Sequence, residues 1–217
     1  MHSYKTILAF FLICATAGQA QQAPRLQLKS GDHIAIVGNA LPDRFQHSGY
    51  LETLIIATHP DLDLVVRNLA AAGDEIALRH RSENFGTPDE WLKRTSADVI
   101  LAFFGFNESF KGYEGLPKFK ADLDKYLKDL AGKNYSGKGA PRVVLFSPIA
   151  NEKHQDPNYA DPSAINSNLH DYSDAIAEVA RANGVPFVDL LKPSQQLFVA
   201  SAGLGRSLTV NGMHLTD

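Results

Sequence analysis

The chain has 217 residues, 44% of them hydrophobic and 21% charged, with a formal net charge of −3. That length builds one domain with a sizeable core and is short for two. The negative balance argues against a nucleic-acid backbone as partner, which calls for a basic surface, and the single cysteine, Cys14, excludes a disulfide framework or a cysteine metal site.

The first 20 residues differ from the rest. Lys5 precedes an apolar run at 7–15, and Thr16-Ala17-Gly18-Gln19-Ala20 then supplies small residues. This is the layout of a secretory signal peptide cut after Ala20. The apolar run is too short for a bilayer, which takes roughly 20 residues. The expectation is a signal at 1–20 and a secreted or periplasmic domain at 21–217, with no membrane attachment after cleavage.

The elements then follow in order. An apolar run at 34–37 predicts a strand ending in the tight turn Gly38-Asn39-Ala40-Leu41. Tyr50, Leu51, Leu54, Ile55 and Thr58 have helical spacing, with Ser48 placed to cap that helix. A second strand is predicted at 62–66, followed by Asn68-Leu69-Ala70-Ala71-Ala72-Gly73-Asp74. Thr87-Pro88-Asp89-Glu90 reads as a helix start, with a cap, a first-turn proline and acids. A third strand at 99–104 leads into Gly105-Phe106-Asn107-Glu108-Ser109. A helix at 116–130 presents Phe119, Leu123, Tyr126, Leu127 and Leu130 on one face. After a polar loop at 133–141 come a fourth strand at 143–146 and a second polar loop at 151–161. A helix at 162–183 carries Ile165, Leu169, Tyr172, Ile176 and Val179 and closes at Asn183-Gly184. A last strand is predicted at 186–191, with a helix entry at Lys192-Pro193. Short apolar strands alternating with amphipathic helices imply a three-layer α/β/α domain on a parallel five-stranded sheet. In such folds the site lies at the carboxyl ends of the strands.

Three strand-end turns and a late Asn211-Gly212-Met213-His214 stand in an order that resembles the SGNH hydrolases, the GDSL esterase/lipase family. The resemblance runs over 31–216 and implies a flavodoxin-like α/β/α sandwich acting on a small-molecule or carbohydrate ester without a cofactor. It puts Ala40 at the position of the nucleophilic serine and Asn39 at the neighbouring aspartate. Ala70 takes the place of a glycine whose amide helps form the oxyanion hole, and Asn107 that of the oxyanion-hole asparagine. His214 falls at the catalytic base, with Asn211 where an aspartate is usual. The phrase "FFGFNESF" is similar to an SGNH-like module of large secreted proteins from planctomycete-type bacteria, which can precede haem-binding domains. This chain has no Cys-x-x-Cys-His. The family usually adds a helix after the histidine, so a domain truncated at its C-terminal helix is expected.

Ester hydrolysis by this route needs an activated hydroxyl and donors for the developing oxyanion. Alanine has no atom to attack with. Ser48 and Ser109 are the nearby hydroxyls, and Glu108 or His214 could serve as a base toward water. Each also has a plainer role: Ser48 as a cap, Ser109 in a turn, Glu108 as partner to a cation or amide. A neutral Asn211 cannot stabilise an imidazolium, and in a serine-protease triad the corresponding change lowers turnover about 10⁴-fold through the wrong tautomer. The other histidines lack metal-ligand spacing. The expectation is an esterase-like domain with activity weak or lost. The alternative is a non-catalytic binding module for an acylated carbohydrate, or an accessory module of a larger secreted protein.

Overall fold

The computed structural model describes residues 24–216, so the expected signal at 1–20 lies outside the described residues. Five parallel strands run β1 (His33–Gly38), β2 (Val65–Asn68), β3 (Val99–Phe103), β4 (Arg142–Phe146) and β5 (Phe187–Val188). Their order in the sheet is β2-β1-β3-β4-β5. The chain thus starts inside the sheet, goes to one edge, crosses back and continues to the other edge. The switch point falls between β1 and β3, where a crevice opens beyond the strand ends.

Period two decides which side chain meets which layer. Ile34 and Ile36 of β1 face one side with Leu101 and Phe103 of β3, against Leu41, Phe45, Leu51 and Ile55. Those four belong to helices α1 (Ala40–Ser48) and α2 (Tyr50–Thr58). Ala35 and Val37 face the other side with Ile100 and Ala102. There they meet helices α3 (Pro88–Arg94), α5 (Gly112–Ala131) and α6 (Ser163–Ala182), which contribute Leu92, Phe119, Leu123, Tyr172 and Ile176. The short α4 (Phe106–Ser109) follows β3, and α7 (Leu191–Ala202) follows β5. A third cluster at the sheet's far end joins Phe106, Ile149, Leu169, Leu191 and Phe198. On it rest Leu208, Met213 and Leu215 of the final segment.

Several local readings hold. Thr87 accepts from the Glu90 amide while Glu90 returns a bond to the Thr87 amide, a complete capping box. α5 and α6 bury most of the spaced residues read from the sequence, with Tyr126 and Ile165 only half-buried. Gly115 of α5 is where Tyr172 crosses: a Cβ there would sit 2.3 Å from the tyrosine oxygen.

Others are corrected. Helix α1 begins at Ala40, directly after the β1 turn, and was read only as a turn; its sole fully buried residue is Pro42, so its apolar signal is thin. Ser48 caps nothing. It is the exposed last residue of α1, and Gly49, left-handed at φ 64°, separates the two helices. The second strand starts three residues later than its apolar run, because Pro60–Leu62 forms a 3₁₀ turn and Asp63 is left-handed at φ 48°. The last strand keeps only two of the six residues read for it. The Asp189 carboxylate and the Ser147 hydroxyl accept from the Leu191 amide and turn the chain into α7.

Candidate active site

The first turn is fixed by close approach of backbone to backbone. Gly38 has φ 137°, and a Cβ there would lie 2.1 Å from the Phe103 carbonyl oxygen. Only glycine fits that crossing. The buried Asn39 donates its amide to the same oxygen at 3.2 Å, and its own carbonyl accepts from Asp43 inside α1. Ala40 is therefore the first residue of α1. Its amide meets no acceptor among the described residues, and it stands at the positive end of a helix dipole.

The second turn is laced onto the first. The amides of Leu69 and Ala71 donate to the carbonyls of Ile36 and Gly38, at 2.8 and 3.0 Å. Asn68 donates from Nδ2 to the Pro42 carbonyl at 2.7 Å, tying the turn to α1. Its Oδ1 accepts the Ala70 amide at 3.0 Å. Ala70 is thus engaged within its own turn, which counts against the oxyanion role read for it. Among the described residues the amides of Ala72 and Gly73 meet no acceptor, and Gly73, three residues on from Ala70, has φ 86°. The sequence signal was present, since Gly73 is the sole glycine of that stretch, but the spacing chosen there stopped at Ala70.

The third turn is clasped by a buried carboxylate. Glu108, 4% exposed, accepts from the Gly105 amide at 2.9 Å and from the Ile76 amide at 2.8 Å. Burial pushes its carboxyl above the usual range, with the bonded amides pulling the other way. Glu108 is thus a partner to amides that joins the third turn to the second. Asn107 extends the tie, donating from Nδ2 to the Asp74 carbonyl at 3.1 Å; its second N–H is left over. Ser109 is fully buried with its hydroxyl on the Phe106 carbonyl at 2.6 Å, and Ser48 is exposed at the far end of α1. Neither is placed to replace a nucleophile at position 40.

The histidine read as the base sits on the last segment. His214 Nδ1 lies 2.9 Å from Asn211 Oδ1. The same oxygen accepts from the His214 backbone amide at 3.1 Å. A backbone N–H can only donate, so the amide oxygen of Asn211 is the atom facing the ring. The ring must then carry its proton on Nδ1, leaving Nε2 as the acceptor. The wrong-tautomer penalty expected for an asparagine does not arise here, although no charge supports an imidazolium. Burial, then the nearby Arg44 cation, hold the His214 pKa below its usual value. Arg44 also reaches from α1 to the Leu215 carbonyl at 3.3 Å.

One buried residue organises this segment and left no trace in the sequence reading. Glu152 is 4% exposed and accepts from the amides of Leu208 and Thr209 and from the Thr209 hydroxyl, at 2.9, 2.7 and 2.5 Å. Its own amide donates to the Gly212 carbonyl at 2.7 Å. The Thr209 hydroxyl oxygen in turn accepts the Gly212 amide at 2.9 Å. A carboxylate inside a polar loop reads as solvated; only the folded chain brings it under residues fifty-odd positions later.

Ala40, Leu41, Phe106, Ile149 and Met213 enclose a gap of about 20 Å³. That volume is of the order of one water. Met213, the neighbour of His214, closes it from the final segment. Among the described residues no group of three or more His, Cys, Asp or Glu could hold a metal, and no helix is long and apolar enough to cross a membrane.

Comparison with known proteins agrees with this geometry. Residues 31–217 match the family model of the GDSL-like lipases/acylhydrolases. Among solved structures, a variant of an acetyl-xylooligosaccharide esterase from Geobacillus aligns with TM-score 0.62 and 16% identity, over 88% of this chain and 90% of that one. An acetyl xylan esterase aligns at 0.59 and 18%, over 85% and 91%. A carbohydrate acetylesterase from Sinorhizobium meliloti aligns at 0.53 and 12%, over 85% and 91%. At such identities the likeness is one of fold. No curated protein matches the sequence.

Proposed function

The chain belongs to the GDSL-like lipase/acylhydrolase family, and from that premise we propose an esterase-like domain that keeps a base and oxyanion donors but lacks the attacking hydroxyl. The observation that carries this reading is Ala40 at the head of α1, directly after the Gly38 crossing, with an unbonded amide. The donors would be the amides of Ala40 and Gly73 and the Asn107 side chain. Each such donor contributes about 3 kcal/mol to stabilising an oxyanion. His214 would act through Nε2, with Asn211 holding the ring. Without a hydroxyl at position 40 no acyl-enzyme forms, and hydrolysis is weak or lost.

The ester would be an acetylated carbohydrate. The support is that three fold neighbours are esterases of acetylated xylan or other carbohydrates. An acetyl group is larger than the gap over Ala40, so Met213 must swing aside to admit it. Export by the segment at 1–20 would put the domain where such polymers are met.

The test is release of p-nitrophenol from p-nitrophenyl acetate. The unaltered protein is expected to stay at the background rate. Ala40→Ser is expected to gain at least about 10²-fold, and adding His214→Ala should abolish the gain. Turnover by the unaltered protein that His214→Ala removes would overturn the reading and point to water activated by the histidine.

A further inference from the structure

A cavity of about 470 Å³ opens on the α3–α5 side of the sheet. It shares no lining residue with the gap over Ala40. Its volume lies in the range of small-molecule sites, about 300–1,000 Å³. Val37 and Leu92 form an apolar floor, and Phe85, Trp91 and Tyr126 supply aromatic walls.

The polar groups around it are mostly committed. Arg81 is gripped by the fully buried Asp74 through two bonds, at 2.6 and 2.8 Å. Asp89 accepts from Tyr135 and Lys133, each at 2.5 Å. Trp91 donates its indole N–H to the Phe85 carbonyl at 2.9 Å. Burial pushes the Tyr126 phenol up to about 12, so it stays neutral.

Arg79 is the exception. It lines the cavity, donates from Nε to the Glu75 carbonyl at 3.0 Å, and lies 4.8 Å over the Phe104 ring. Those contacts, with the neutral Tyr126 phenol beside it, hold the guanidinium without cancelling its charge. Among the described residues Arg79 takes part in no ion pair, whereas its neighbour Arg81 does. A planar cation held rigidly at an aromatic cavity matches one planar anion, because the guanidinium fork fits a carboxylate.

We propose that this cavity binds a monocarboxylate carried on a six-membered ring, with the ring among Phe85, Trp91 and Tyr126 and the carboxylate on Arg79. Aromatic acids and sugar acids share that chemistry, and the aromatic walls suit either face. The cavity borders the turn after β2 through Asn68, Leu69, Ala70 and Ala71, but its binding groups, Arg79 and the three aromatic rings, are none of the groups assigned to the reading of Ala40.

Calorimetric titration of the full chain tests it with 4-hydroxybenzoate, its uncharged counterpart 4-hydroxybenzamide, and glucuronate. At least one acid is expected to bind, and 4-hydroxybenzamide at least tenfold more weakly than that acid. Binding of 4-hydroxybenzoate alone would identify an aromatic acid, and of glucuronate alone a sugar acid; each supports the proposal. Arg79→Met, which keeps the apolar stem, should erase the preference for charge. Absence of binding by both acids, or equal binding of the benzoate and the benzamide, would overturn it. Should Arg79→Met fail to fold by circular dichroism, the acid–amide comparison on the unaltered protein decides, with weakening of acid binding in added salt as its second measure.

Discussion

The two halves of the site are held by different means. The donor half is made of three turns after β1, β2 and β3: the first two are laced by backbone bonds, Asn39 to Phe103, Leu69 to Ile36 and Ala71 to Gly38, and the third is joined to the second through the side chains of Glu108 and Asn107. The base half is a segment beyond the sheet that hangs on the side chain of Glu152. None of the backbone bonds between the first two turns uses the side chain at position 40, so that junction does not depend on which residue stands there. The base half depends on one carboxylate and on three hydrogen bonds to the Asn211 oxygen, from the Met213 and His214 amides and the His214 ring.

The comparison can be broken from either side. The largest effect is expected at Gly38→Ala. A Cβ lodged against the Phe103 carbonyl, at a positive φ, should cost about 3 kcal/mol or more and lower the denaturant midpoint of the whole domain. A normal midpoint would show that the crossing at Gly38 yields to a side chain. Next comes Glu152→Gln, expected to cost about 2 kcal/mol, because the new NH₂ faces donors where a charged acceptor stood. NMR shifts should change from 208 to 216 and stay fixed in the turns after β1 and β2. Changes spread equally over both halves would erase the distinction.

The smallest effect is electrostatic. Folding lowers the His214 pKa, so the folded chain binds fewer protons than the unfolded one. This group therefore costs stability as pH falls through the ordinary value of 6.5 toward the folded value, and costs nothing well above it. Arg44→Gln removes one of the two causes and should raise the histidine pKa, read from imidazole proton shifts. Burial is the larger cause and remains, so the value should stay below 6.5. No rise on removing Arg44 would mean that the base half does not feel α1.

Legibility in the sequence follows the same division. The strands were readable because burial on both faces leaves unbroken apolar runs, as in 99–103. His214 and Asn107 stand out in the sequence because they follow fixed landmarks, Asn211-Gly212 and Gly105-Phe106. Helix α1 was not, since Pro42 in its first turn and a mostly polar body hide its period. Ser48 misled for a local reason: the residue ahead of a helix usually caps it, and here a left-handed glycine intervenes. Ala70 misled because an amide's availability depends on a side chain two residues back, Asn68, and spacing alone cannot reveal that bond. Glu152 and Arg79 were invisible, since their roles come from what lies over them and not from what lies beside them in the chain.

The Glu152 clasp also bears on how the molecule opens. The amides of Leu208 and Thr209 rest on Glu152 directly, and that of Gly212 rests on it through Thr209. Release of that carboxylate frees them together, so their protons should exchange with solvent in one shared event. The tail carrying His214 is then expected to open as one unit from its root at Glu152.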